Sequence, residues 1–180
     1  QFIKIIHDLA TEHQFNNYEI CQPDAINRKL FIEGHCALYG FLNLDGDIYS
    51  DIVAEIGGSL AVSESVIEGC NAGNERVSLY EAPHGTAPDL YDLYQKSGNK
   101  TAHFNSSALI ASFANALLDL AQISSNKDLA NFANRLHKAL IKTVADGFIT
   151  PDLSGKMIDG TKNETKLNME EFIRKVSDNI

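Results

Sequence analysis

The chain has 180 residues, 44% of them hydrophobic and 22% charged, a balance that fits one globular domain with a real core. Its formal charge of −9 excludes a basic surface able to neutralise nucleic-acid phosphates, and no apolar run approaches the length of a membrane span. Three scattered cysteines, Cys21, Cys36 and Cys70, form no CxxC pair, so they are expected to be reduced, partly buried thiols of an intracellular protein.

In chain order, Phe2, Ile5, Ile6 and Leu9 trace one face of a helix that fades by about His13. The spacing of His7 and His13 puts them on different faces, which favours surface or core-edge histidines over ligands. Tyr18 to Cys21 reads as a short strand. Pro23-Asp24-Ala25 opens the next helix, with Pro just inside its start and Leu30 and Phe31 on its apolar side. Taken locally, Asp24 is a first-turn acid favoured by the helix dipole.

An apolar run from Ala37 to Leu42 with strand character leads into Asn43-Leu44-Asp45-Gly46-Asp47-Ile48-Tyr49-Ser50-Asp51, where helical spacing begins. Asp47 and Asp51 are four apart, so on a helix they share a face. Two carboxylates held so close repel unless a cation sits between them, and hard oxygens suit Mg²⁺ or Mn²⁺. Solvated carboxylates behind an N-cap are the plainer alternative. An EF-hand calcium loop is excluded, because Ile48 and Ala54 stand where it needs Gly and Glu.

The helix continues through Ile52 to Ile56 until Gly57-Gly58 breaks it. Leu60 to Ile67 and Arg76 to Tyr80 are expected to be strands or extended segments around a polar turn from Glu68 to Glu75. His84 to Asp89 reads as a loop, since Pro83, Gly85 and Pro88 oppose regular structure; its Thr86 and free N–H groups can hold a phosphate or ribose. Asn105 is a candidate N-cap for a helix lined by Leu109, Phe113, Leu117 and Leu120. A second helix carries Leu129, Phe132, Leu136 and Leu140 and closes at Gly147. Asn168-Met169-Glu170-Glu171 starts a last amphipathic helix with a capping box.

Two of these stretches, in register, resemble the isocitrate/3-isopropylmalate dehydrogenase family of metal-dependent decarboxylating dehydrogenases. Gly46-Asp47-Ile48-Tyr49-Ser50-Asp51 matches its metal turn, Gly57-Gly58-Ser59 its Gly-Gly stretch, and Glu81-Ala82-Pro83-His84-Gly85-Thr86-Ala87-Pro88-Asp89 its cofactor loop. The resemblance covers nearly the whole chain but only the C-terminal half of the family's pattern. With no initiator Met, and a start inside an apparent helix, the sequence reads as a fragment.

The resemblance implies an α/β, three-layer fold that is not a Rossmann fold. Residues 1–42 would end a smaller, dimer-forming domain, and 43–180 would form the C-terminal part of the larger cofactor-binding domain. It implies Asp24, Asp47 and Asp51 as catalytic metal ligands for Mg²⁺ or Mn²⁺, with Asp24 reaching the metal of the neighbouring subunit of a homodimer or related pair. Glu81, His84, Gly85, Thr86, Ala87, Asp89, Asn105 and Asp152 would bind the dinucleotide. Asp89, able to accept ribose hydroxyls and to repel a 2′-phosphate, points to NAD over NADP.

The implied reaction is oxidative decarboxylation of a 2-hydroxy diacid or triacid, isocitrate first, with 3-isopropylmalate, homoisocitrate or tartrate as alternatives. The implied setting is the cytoplasm, or the mitochondrial matrix in a eukaryote. A non-catalytic regulatory subunit is the other reading: Ser63 to Gly69 adds negative charge to the family's wording, and Ser106 replaces a Pro. The substrate arginines, catalytic Tyr and catalytic Lys would lie upstream of Gln1.

Overall fold

The computed structural model describes residues 1–34, 37–85, 87–98, 103–155 and 164–180. The chain divides into two compact units, Gln1–Phe41 and Leu42–Ile180. It mixes helix and strand, as an α/β chain should.

In the first unit, α1 spans Phe2–Glu12, and Thr11 stitches its last turn by donating to the His7 carbonyl at 2.8 Å. The segment expected to be a strand at Tyr18 to Cys21 is irregular. Among the described residues this unit contains no strand for it to pair with, and an unpaired strand leaves its backbone groups without a ladder. Side chains hold it instead: Tyr18 bonds the His7 ring at 2.5 Å and stacks on Phe15, while Lys29 pairs with Glu19 and reaches Cys21 Sγ at 3.6 Å. Helix α2, Pro23–Asn27, has Pro at its start and runs on as a π-helical turn, Arg28–Ile32.

The second unit begins with α3, Asn43–Ile56. The helix starts earlier than the sequence suggests, and residues 37–42 form no strand, so Asp47 and Asp51 lie on the body of a helix rather than at a strand-to-helix turn. Gly57 ends it, and Gly58 takes φ +119°, a conformation closed to most side chains. Ser59 then caps a 3₁₀ turn, Leu60–Val62, by accepting the Ala61 N–H at 3.1 Å.

Strands β1, Ser65–Cys70, and β2, Arg76–Glu81, form an antiparallel hairpin in register Ser65↔Glu81 to Cys70↔Arg76. The strand therefore absorbs Glu68 to Cys70, and the turn shrinks to Asn71 to Glu75, where Asn71 Oδ1 accepts the N–H groups of Gly73 and Glu75 at 2.9 Å each. Cys70 is exposed rather than partly buried; Cys36 lies outside the described residues. Pro88 does not prolong the loop but opens α4, Pro88–Lys96.

The core sits between the long helices α5, Ser107–Ile123, and α6, Lys127–Ala145, and the closing α7, Met169–Asp178. Ala111, Ala114, Leu136, Ala139, Leu140, Phe172 and Val176 are buried there, with the alanines letting α5 and α6 approach closely. The capping box is formed in full: Asn168 accepts the Glu171 N–H and Glu171 accepts the Asn168 N–H, both at 3.0 Å. One unanticipated element is a parallel pair, β3 at Phe148–Ile149 and β4 at Thr165–Lys166. Beside it Glu164 accepts the Ser154 hydroxyl at 2.9 Å and the Gly155 N–H at 3.0 Å.

Candidate functional site

Helix α3 carries Asp47 and Asp51 four residues apart, one turn above the other, and both are exposed. Ser50 donates to the Asp47 carbonyl at 3.1 Å, leaving the Asp47 carboxylate outside that bond. Asp51 borders an open groove of about 420 Å³ whose other walls are Ile52, Glu55, Ile56 and Leu60. Two exposed carboxylates one turn apart repel each other, a repulsion that water, salt or a cation can relieve. Among the described residues no group of three or more His, Cys, Asp or Glu side chains is placed to hold a metal ion.

Asp24 belongs to the first unit. It lies in the first turn of α2, where its Oδ1 accepts the N–H of Ala25 at 2.9 Å, the local role of a first-turn acid.

The other residues singled out fall on β2, the loop after it, and the start of α5. Glu81 ends β2, and its carbonyl accepts the Ser112 hydroxyl at 2.8 Å, tying the strand to α5. His84 packs edge-on to Phe104 at 5.1 Å between centroids, with Nδ1 3.2 Å from the Gly85 carbonyl and a buried Nε2 that has no hydrogen-bond partner among the described residues. Gly85 is exposed, and Thr86 lies outside the described residues. Ala87 takes left-handed φ/ψ (+37°, +59°), an unusual state for a residue with a Cβ, and turns the chain into α4.

Asn105 and Asp152, 47 positions apart, are brought into direct contact: Asn105 Nδ2 donates to Asp152 Oδ2 at 2.9 Å. Asn105 is only 3% exposed, and its Oδ1 accepts the Ser107 N–H at 2.9 Å, so it also serves the first turn of α5, one residue ahead of the cap position at Ser106. Burial acts to raise the pKa of Asp152, but the polar side chains of Ser59, Thr150 and Asn105 around it outweigh that and hold the carboxyl below its ordinary value. Among the described residues, Ser106 Oγ, Ser107 Oγ, Thr150 Oγ1 and Asp152 Oδ1 are buried with no hydrogen-bond partner. Buried polar atoms of this kind call for a partner, and a bound polar molecule is one way to supply it.

Ser59, Ser107 and Thr150 lie in this region and were not among the candidate site residues, although Ser59 closes the Gly57-Gly58-Ser59 match. A Ser placed between a Gly-Gly break and an apolar run is the available signal for Ser59, since it marks a hydroxyl free to serve the next turn. The acidic wording of Ser63 to Gly69 has a structural account: Glu68 pairs with Arg76, which also bonds Asp119 at 2.9 Å, and Glu64 accepts Asn115 Nδ2 at 2.7 Å.

A carboxylate pair at α3 Asp47 and Asp51, followed by a polar pocket at the start of α5, falls within one stretch of known proteins. The chain belongs to the isocitrate/isopropylmalate dehydrogenase family, whose sequence profile matches residues 39–176. It is 37% identical over 140 residues to an isocitrate dehydrogenase [NADP] of Solanum tuberosum, covering 77% of this chain and 32% of that protein. Over 137 residues it is 36% identical to both the cytosolic and the peroxisomal isocitrate dehydrogenase [NADP] of Arabidopsis thaliana, covering 75% of this chain and 32% of each. The matched stretch thus covers about a third of the length of these curated relatives.

These relatives correct the choice of NAD: each is named for NADP. Asp89, on which that choice rested, is an exposed first-turn residue of α4, a position where a carboxylate is favoured by the helix itself. An exposed charge is screened by water and salt, so it cannot decide alone against a 2′-phosphate.

Proposed function

We propose that the protein carrying this chain is an oxidative decarboxylase of isocitrate, forming 2-oxoglutarate and CO₂ with NADP and Mg²⁺ or Mn²⁺. The observation that carries the reading is the pairing of Asp47 with Asp51 on one face of α3, inside the stretch shared with isocitrate dehydrogenases. When bound, the metal supplies Lewis-acid polarisation at the substrate's 2-oxygen and NADP supplies the hydride acceptor.

This chain's residues bind and orient. Asp47 and Asp51 give carboxylate oxygens to the metal, and Asp24 gives a third from the neighbouring subunit of a dimer. Glu81 lies on the nicotinamide side. His84, Gly85, Thr86, Ala87 and Asp89 form the loop around the adenosine half, and Asn105 with Asp152 holds the adenine end. In this scheme residues 1–42 end a smaller, dimer-forming domain and 43–180 belong to the larger cofactor-binding domain of a three-layer α/β fold.

Titrating the intact protein with Mn²⁺ and NADP, and then following NADPH production from isocitrate and from 3-isopropylmalate, tests the reading. Turnover on isocitrate is expected, with Asp47→Asn lowering it about a hundredfold or more through lost metal. Metal and nucleotide binding without turnover on any 2-hydroxy diacid would overturn it in favour of a regulatory subunit.

A further inference from the structure

A serine or threonine on a helix ordinarily spends its hydroxyl on the carbonyl four residues back along the same helix. Thr143 of α6 does so at Ala139, at 2.8 Å, and Ser124 at the end of α5 does so at Leu120, at 2.6 Å. Ser112 in the second turn of α5 does otherwise. It is 2% exposed, and its Oγ donates across to the Glu81 carbonyl at 2.8 Å.

Glu81 is the last residue of β2, and the register of the hairpin ends there, opposite Ser65. Two residues on, Pro83 has no N–H with which to extend a ladder. Ala82, as the residue before a proline, is confined to extended backbone, and the Pro83 ring fixes its own φ. The link from Glu81 to His84 is therefore stiff. The direction in which the chain leaves β2 is carried to His84 instead of being absorbed on the way. His84 lies edge-on to Phe104, three residues ahead of α5, and its buried Nε2 has no hydrogen-bond partner among the described residues. Residues 81–85 are thus held at two places: by a hydroxyl in the second turn of α5 and by a ring ahead of its first.

We propose that Ser112 is a positioning residue for the cofactor loop. By holding the Glu81 carbonyl it sets the exit of β2, and through the stiff Ala82-Pro83 link it sets the His84 ring for the adenosine half of NADP. A bond made on folding lowers the ordering cost left for the nucleotide to meet. Alanine at this position would suit the helix itself but leave the carbonyl without its donor.

The inference rests on the reading of His84 as a cofactor-binding residue, and the test separates the two. In the intact protein, NADP and Mn²⁺ dissociation constants are measured by calorimetry for wild type, Ser112→Ala and Thr143→Ala, and all three are melted. The imidazole proton signals of His84 and of His137 on α6 are followed by NMR without metal or nucleotide.

Ser112→Ala is expected to weaken NADP about fivefold, as loss of one neutral hydrogen bond does, and to leave Mn²⁺ affinity within about twofold. Its His84 signal should move, because the ring current of Phe104 falls off steeply with displacement, while that of His137 stays. Thr143→Ala removes a comparably buried hydroxyl from its own helix and from Asn179, and should lower the melting temperature with NADP affinity unchanged. Wild-type NADP affinity in Ser112→Ala, an unmoved His84 signal, or an equal loss of NADP affinity in Thr143→Ala would each overturn the role given to Ser112. A wild-type protein that binds no NADP would overturn the nucleotide reading, and the cofactor role of Ser112 with it, even where the His84 signal moves.

Discussion

The two acidic centres of this chain are built in opposite ways. Asp47 and Asp51 stand exposed on one face of α3, four apart, with like charge facing like charge. Asp152 is half-buried and held by Asn105 Nδ2 at 2.9 Å. The proposed role of the first pair depends on a cation that binds from outside; the second carboxylate is arranged by what is already there. Substitution should therefore affect binding at α3 and folding at Asp152, and the packed core gives the scale for both.

The largest expected effect lies in that core. Phe172, fully buried between α7 and α6, should cost about 3–5 kcal/mol when changed to Ala, read by denaturant unfolding of the intact protein. A much smaller loss would mean that the helical core is loosely packed.

Asp152→Ala comes next. It leaves the Asn105 amide buried without its acceptor and should cost about 1–3 kcal/mol. Its pH dependence has a definite sign. The folded-state pKa lies below the ordinary 3.8, so the stabilisation is present above that value and is lost as pH falls through the folded pKa. Acid unfolding curves should show a smaller drop below about pH 4 for the variant than for wild type. Identical curves would mean that Asp152 gains nothing from its partners.

The smallest expected effect on stability is at α3. Asp47→Asn without metal should change unfolding free energy by no more than about 0.5 kcal/mol, in the stabilising direction, because it removes one of two like charges one turn apart. With Mn²⁺ present the order should reverse: wild type gains melting temperature and the variant does not. A large loss of stability in the variant without metal would make the acidic pair a structural feature and sink the contrast.

The same contrast explains what the sequence disclosed. Helices α5, α6 and α7 were legible because apolar residues recur at helical spacing and the caps are chemical signatures, as Asn168 with Glu171 shows. The α3 pair was legible because a four-residue interval has a fixed geometric meaning. The start of α3 at Asn43 was not, since the six residues before it have strand composition but no strand partner among the described residues of either flank. Nor could spacing disclose that Asn105 and Asp152 touch. Contacts between residues 47 or more positions apart are products of the packed fold. The choice of NAD failed for a related reason: it treated one exposed carboxylate as decisive, whereas selection against a phosphate depends on the whole surrounding field.

The clamp formed by Glu164 on Ser154 and Gly155 has a consequence for the polar pocket. Its two carboxylate bonds, together with the two-residue β3–β4 pair, hold the backbone that follows Asp152. Asn105 restrains the Asp152 side chain while the clamp restrains the chain two and three residues further on. Side chain and backbone are thus fixed by separate contacts, and the ordering cost of this carboxylate is met when the chain folds.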